Sequence, residues 1–168
     1  HNKILELLNT EVLNDNNNIV SNSGGFQTHS IEDGYVLDTL VKASGDLINE
    51  NYKFKKKTQI ILDSAWINKN DKNHYNNPHI HLGCNFSGVY YVSVPSDEGA
   101  LVFVRNDISS ELVGNDVYIK DAFLPRWNVN PRENMLILFP SNFLHLVKPH
   151  FEETSRISVA FNIKFKHG

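Results

Sequence analysis

Cysteine is almost missing from this chain: Cys84 is the single one among 168 residues. One thiol cannot form an internal disulfide, so a packed core has to hold the fold, and the composition suits a reducing, cytoplasmic setting better than a secreted scaffold. Long apolar runs are lacking too. None approaches the roughly 20 residues that a membrane-spanning helix needs, and the opening residues carry no signal-peptide pattern. An excess of one charge is the third absence. With 16 Lys+Arg against 19 Asp+Glu the net charge is -3, which leaves no electrostatic footprint for nucleic acid. The basic stretch KFKKK at 53–57 is isolated and reads as a solvated edge or loop. The chain opens on His1 in place of Met, as expected if an upstream segment or tag has been removed.

What is present is a 40% hydrophobic chain of a length that suits one domain over residues 1–168. NKILELLNTEVL at 2–13 carries Ile4, Leu5, Leu8 and Val12 at helical spacing and predicts a short amphipathic helix. The polar stretch after it, with a turn at Gly24 and Gly25, reads as an interruption of all regular structure. Residues 31–49 repeat apolar side chains at three and four, which predicts a second helix with Ser30 as its N-cap and Gly34 as a weak point.

From residue 57 the texture changes. TQIILDSAWI (58–67), SGVYYVSV (87–94), ALVFV (100–104), MLILF (135–139) and SRISVAFNIKF (155–165) are short runs rich in Val, Ile, Phe and Tyr, bounded by turn formers. Many short strands after two helices predict a mainly β fold, a jelly-roll-like double-stranded barrel over 57–166 with a helical flank over 1–50.

The chemistry begins at NNPHIHLGC. On a strand, alternate side chains share a face, so His79 and His81 are expected to point the same way with Ile80 opposite. Two imidazoles suit a divalent metal, whose nitrogen ligands sit about 2 Å away; a surface strand can also carry such a pair by chance. Downstream, NMLILFPSNFLHLVKPH reads as a strand, a turn at 140–142 and a short strand opening at His145. A barrel can bring that late histidine beside the early pair as a third ligand, and it equally fits a half-buried histidine bonded to a backbone carbonyl. On the last strand Arg156, Ser158, Ala160 and Asn162 share one face, and Ile157, Val159, Phe161 and Ile163 share the other. Arg156 aimed into the barrel with no obvious acidic partner calls for an anion, and a carboxylate would fit it; a strand-end arginine reaching solvent is the alternative.

PHIH, SGVYYVSVP, EGALVF, NMLILFPSNFLHLVKP and SRISVAFN, in that order, resemble the 2-oxoglutarate and Fe(II)-dependent oxygenase superfamily. SNSGGFQT (21–28) and AWINKN (65–70) are similar to segments of one branch, oxygenases of unassigned substrate from marine bacteria and phages. The resemblance implies Fe(II) and 2-oxoglutarate as cofactors, with oxidative decarboxylation of 2-oxoglutarate coupled to C–H hydroxylation. It implies His79, His81 and His145 as metal ligands and Arg156, helped by Tyr91, as the grip on the far carboxylate. Ser158 and Asn162 match cofactor-pocket positions. The superfamily's carboxylate position holds His81 here, so three neutral imidazoles would leave the metal with its full charge; His81 as a group behind the ligands is the other possibility.

Two rival readings stay open. His-x-His plus a distant histidine also describes a zinc hydrolase or lyase, and a non-catalytic cupin-like metal-binding module shares the barrel. Arg156 argues against the first, and HIHLGCNF lacks the glutamate that cupins usually add. His29, His74 and His150 read as exposed loop residues, with His74 near a substrate mouth as an alternative. Cys84 reads as a small apolar residue, Trp66 and Trp127 as core or rim, and Gln27 and Asn68 as polar groups near a substrate, on the resemblance alone. The substrate, small molecule or peptidyl, is unreadable because loops such as 14–30 and 105–130 would select it. Oligomeric state is unreadable too.

Overall fold

The computed structural model describes residues 1–14, 17–18, 20–95, 99–104 and 126–167. Part of each expected selectivity loop, positions 15, 16 and 19 in the first and 105–125 in the second, lies outside the described residues. The elements are α1 (Asn2–Leu13), β1 (Asn22–Ser23), β2 (Phe26–Gln27), α2 (Gly34–Asn51), β3 (Thr58–Asn70), β4 (Tyr75–His79), β5 (Phe86–Ser93), β6 (Leu101–Val104), β7 (Arg126–Val129), β8 (Leu136–Pro140), β9 (His145–Val147) and β10 (Arg156–His167). Among the described residues no helix is long and apolar enough to cross a membrane.

The strands form two antiparallel five-stranded sheets, ordered β1-β4-β9-β6-β7 and β2-β3-β10-β5-β8. This is the expected mainly β, double-stranded barrel with flanking helices. Strand β10 is central in the second sheet, paired with β3 over its whole length and with β5 over 157–163. Its two faces do different work, as alternation requires. Val159, Phe161 and Ile163 are fully buried and pack with Ile67 and with Ile4, Leu8, Val36, Leu40 and Ile48, so the helices cover that side. The opposite face of β10 looks toward the other sheet.

Several local expectations change. The second helix starts at Gly34, and its cap is Asp33, whose side chain accepts from the Val36 N–H at 3.0 Å. Ser30 is not the cap because the chain before the helix is still extended along β3: Thr28 N–H donates to Ile67 O and Ile31 N–H to Ala65 O. The polar stretch is not free of regular structure either. Asn22–Ser23 pairs with β4 and Phe26–Gln27 with β3, so the Gly24–Gly25 turn carries the chain from one sheet to the other. Strand β7 lies in a region read as loop, and it leaves Trp127 68% exposed, outside any core. His150, read as exposed, is fully buried with Nε2 bonded to Asn70 O at 2.9 Å. His74 is half-buried, its Nδ1 accepting from the Asp71 N–H.

Candidate metal centre

The first sheet supplies the histidines. His79 ends β4 and His145 begins β9, and the two are directly opposite in register, which puts their ring centroids 4.2 Å apart. His81 arrives differently. The strand stops at His79, so His81 lies past its end and not on it as expected; alternation cannot be what aims it. Its N–H donates to Ser141 O in the turn between β8 and β9, and its ring stacks on Trp66 at 5.8 Å. The result still converges: one nitrogen from each of His79, His81 and His145 lies within 4.8 Å of the others.

The donor set fits a divalent metal on the structure's own terms. His79 Nδ1 lies 2.6 Å from Asn77 O and His145 Nδ1 lies 2.8 Å from Phe143 O. Each Nδ1 therefore carries the proton and donates it, leaving the Nε2 lone pair free for a metal, the usual outer support of a ligating histidine. Burial depresses all three pKa values: His81 and His145 fall to about 4, with the neighbouring imidazoles adding to burial, and His79 falls by burial against the rise from its carbonyl bond. At neutral pH the three rings are neutral, as metal ligation demands.

Across a cleft of about 550 Å3, counted with its open mouth, the second sheet presents a wall that is apolar beside the histidines and polar beyond them. Cross-strand pairing orders the wall in rows: Trp66–Ala160–Val89 next to the histidines, then Asn68–Ser158–Tyr91, then Asn70–Arg156. Arg156 is 3% exposed. Its Nη1 donates to Gly99 O at 2.9 Å and Lys148 O at 3.3 Å, and among the described residues no carboxylate pairs with it. Burial lowers its pKa to about 10, against a rise from Tyr91, so it stays cationic at neutral pH. Burial likewise pushes Tyr91 up to about 12, despite the nearby guanidinium, so the phenol keeps its proton as a donor. Gly99 is required where it stands: with φ at +76°, an added Cβ would lie 2.5 Å from Arg156 Nη1. A buried cation held by carbonyls alone is costly until an anion meets it.

The cleft thus brings together His79, His81, His145, Tyr91, Arg156 and Ser158. Asn162 stands apart from this set. Its carboxamide is engaged by Ser87 and Ser64, behind the cleft lining. Of the two polar residues expected near a substrate, Asn68 lines the cleft with Oδ1 buried and unpartnered, while Gln27 is buried beside it in register. Cys84 carries no reactive signature: burial and Asp63 raise its pKa, against a lowering by Lys164. Sequence reasoning missed Ser87, which lines the cleft and shares the inward face with Val89 and Tyr91; the period-two alternation in SGVYYV was the signal for it. Gly99 and Lys148, which hold Arg156 through backbone oxygens, left no signal in the sequence.

A family model described as "Putative 2OG-Fe(II) oxygenase" matches residues 64–162, more than half of the chain. No curated protein sequence matches it. Among solved structures the chain is similar to an oxidoreductase of the 2OG-Fe(II) oxygenase family from Burkholderia pseudomallei, at 15% identity and a TM-score of 0.63 over 95% of this chain and 78% of that one. It is also similar to a Pseudomonas putida prolyl-4-hydroxylase, at 15% identity and a TM-score of 0.61 over 96% and 84%. HygX from Streptomyces hygroscopicus, with nickel and 2-oxoglutarate bound, aligns at 12% identity and a TM-score of 0.58 over 98% and 79%. At such identities the likeness is one of fold.

Proposed function

This chain belongs to the 2OG-Fe(II) oxygenase family, and from that premise we propose that it is a 2-oxoglutarate- and Fe(II)-dependent dioxygenase that hydroxylates a C–H bond of a small-molecule or peptidyl substrate. The observation that carries the reading is the pairing of three convergent neutral imidazoles with a buried guanidinium that meets no carboxylate among the described residues, across one cleft. His79 and His145 would hold Fe(II) through Nε2, with His81 as the third ligand. Arg156 would receive the far carboxylate of 2-oxoglutarate, its fork matching two oxygens at once. Tyr91 and Ser158 stand in the row between, where hydroxyl donors can orient the same diacid. When bound, Fe(II) with 2-oxoglutarate and oxygen supplies the oxidant for C–H hydroxylation, and 2-oxoglutarate leaves as succinate and carbon dioxide. The protein's own part is positioning: tautomers fixed by Asn77 and Phe143 carbonyls, Trp66 against His81, and a mostly buried wall that limits water around the reacting groups.

Anaerobic addition of Fe(II) and 2-oxoglutarate tests it. A metal-to-ligand charge-transfer absorbance, and succinate formation once oxygen and a substrate are admitted, are the expected results. A second reading has one observation in its favour, since three imidazoles with no carboxylate grouped beside them among the described residues are also a zinc ligand set. Zinc retained through purification with no charge-transfer band and no succinate would select that hydrolytic or lyase chemistry. Metal binding with no turnover of any kind would select a binding module.

A further inference from the structure

His81 is the least secured of the three histidines. His79 and His145 are fixed by strand pairing and by Nδ1 bonds to carbonyls, whereas His81 lies beyond β4 and its ring is held by stacking on Trp66 and on His145. Among the described residues its backbone is anchored by the 2.9 Å bond from its N–H to Ser141 O. Ser141 is 1% exposed and is itself tied on both sides: its N–H donates to Asn85 O at 3.2 Å, and its hydroxyl lies 3.2 Å from that of Ser87.

The hydroxyl bonding continues across the sheet. Ser87 has one proton, and its 2.8 Å contact with Asn162 Oδ1 takes it, because a carboxamide oxygen can only accept. The Ser87 lone pairs are then left for the Ser141 hydroxyl. Asn162 Nδ2 donates to Ser64 Oγ at 3.1 Å. Ser64, Asn162 and Ser87 are one cross-strand row through β3, β10 and β5. The row is buried at Ser87 and Asn162, where deleting a partner leaves an unsatisfied polar group. The turn is thereby fastened to the centre of the sheet.

We propose that Ser141, fastened by the Ser87–Asn162–Ser64 relay, is the positioning residue for His81. The proposal rests on the metal-binding reading above. It also gives Asn162 a role, which is to support a metal ligand from behind without touching the diacid.

Titration of the full chain with Co(II), whose d–d absorption reports ligand number and geometry, tests the assignment. Ser141→Ala is expected to weaken Co(II) binding by about 10-fold, the lower end of the usual loss on removing outer support of a ligand, and to change the d–d spectrum. Ser141→Thr keeps the hydroxyl and should restore both. Ser87→Ala breaks the relay one link further on and should reproduce the change in weaker form, which keeps the test alive if Ser141→Ala does not fold. In a His81→Ala background, Ser141→Ala should cost nothing further, whereas a general loosening of the fold would repeat its loss. The proposal is overturned if the folded Ser141 and Ser87 variants match wild type in affinity and spectrum, or if the Ser141→Ala loss recurs undiminished without His81. A wild-type chain that binds no Co(II) overturns it together with the oxygenase reading. A His81-dependent Co(II) spectrum indifferent to Ser141 overturns the positioning role alone.

Discussion

Replacing Arg156 with Leu should move stability and ligand affinity in opposite directions. Burial holds the guanidinium near a pKa of about 10, against 12.5 for the free group. At about 1.36 kcal/mol per unit, keeping the charged form inside the apo protein at neutral pH costs about 3 kcal/mol. Leucine removes that cost but orphans two carbonyl acceptors, Gly99 O and Lys148 O, which takes back about 1 kcal/mol for each. The net expectation for the apo protein is a gain of about 1 kcal/mol, or roughly 2–4 °C in Tm for a chain of this size, in line with other replacements of buried charges by apolar side chains. The loss appears on binding. A charge-assisted bond is worth about 1.5–3 kcal/mol and the fork can make two, so the Kd for 2-oxoglutarate should rise by at least about 100-fold. Differential scanning of the metal-free protein and anaerobic titration of the charge-transfer band read the two quantities separately. A variant that is several degrees less stable in the apo form would show that the cation is satisfied within the protein. A 2-oxoglutarate affinity within threefold of wild type would refute Arg156 as the carboxylate grip.

Other expectations follow from the same geometry. His145→Ala should abolish the charge-transfer band and lower Co(II) affinity by about 100-fold or more, read by titration; binding within tenfold of wild type would remove His145 from the ligand set. Because burial lowers all three histidines, His81 and His145 to about 4, Co(II) affinity should begin to fall at a lower pH than at an unperturbed histidine site, which already declines near 6.5. For the apo protein these depressed values mean that the unfolded chain binds more protons than the folded one between about 6.5 and about 4. The stability they contribute is complete above that window and is lost as pH falls through it, which urea midpoints at several pH values can follow. Gly88→Ala would place a Cβ 2.2 Å from Cζ of the fully buried Phe161, so overpacking should cost about 1–3 kcal/mol by urea denaturation; unchanged stability would show that the ring has room to shift.

Much of the scaffold was open to reading because its signals are local. Spacing alone located α1, and alternation along SRISVAFNIKF separated the face that meets the helices from the face that carries Arg156 and Ser158. The errors fall where a distant partner overrides local preference. Asn22–Ser23 and Phe26–Gln27 are two-residue segments too short to show a strand pattern, yet they pair because β4 and β3 offer edges. His150 looked like a solvent-facing residue after a proline, but Asn70 O, 80 positions away, supplies the acceptor that lets it be buried. Asn162 shares a strand face with Arg156 as expected. Where that face points at its far end depends on two serines from neighbouring strands, and no single strand encodes them.

The sequence by itself determined the donors, the strand periods and the order in which His79, His81, His145 and Arg156 occur, since composition and alternation are properties of neighbouring residues. Tertiary structure alone decided that β4 would stop at His79, that a turn 60 residues later would catch His81, and that Gly99 would bring a carbonyl rather than a carboxylate to Arg156. Such outcomes depend on which strand ends meet. That is settled by register and by packing between distant segments, where backbone groups buried together must find partners in each other.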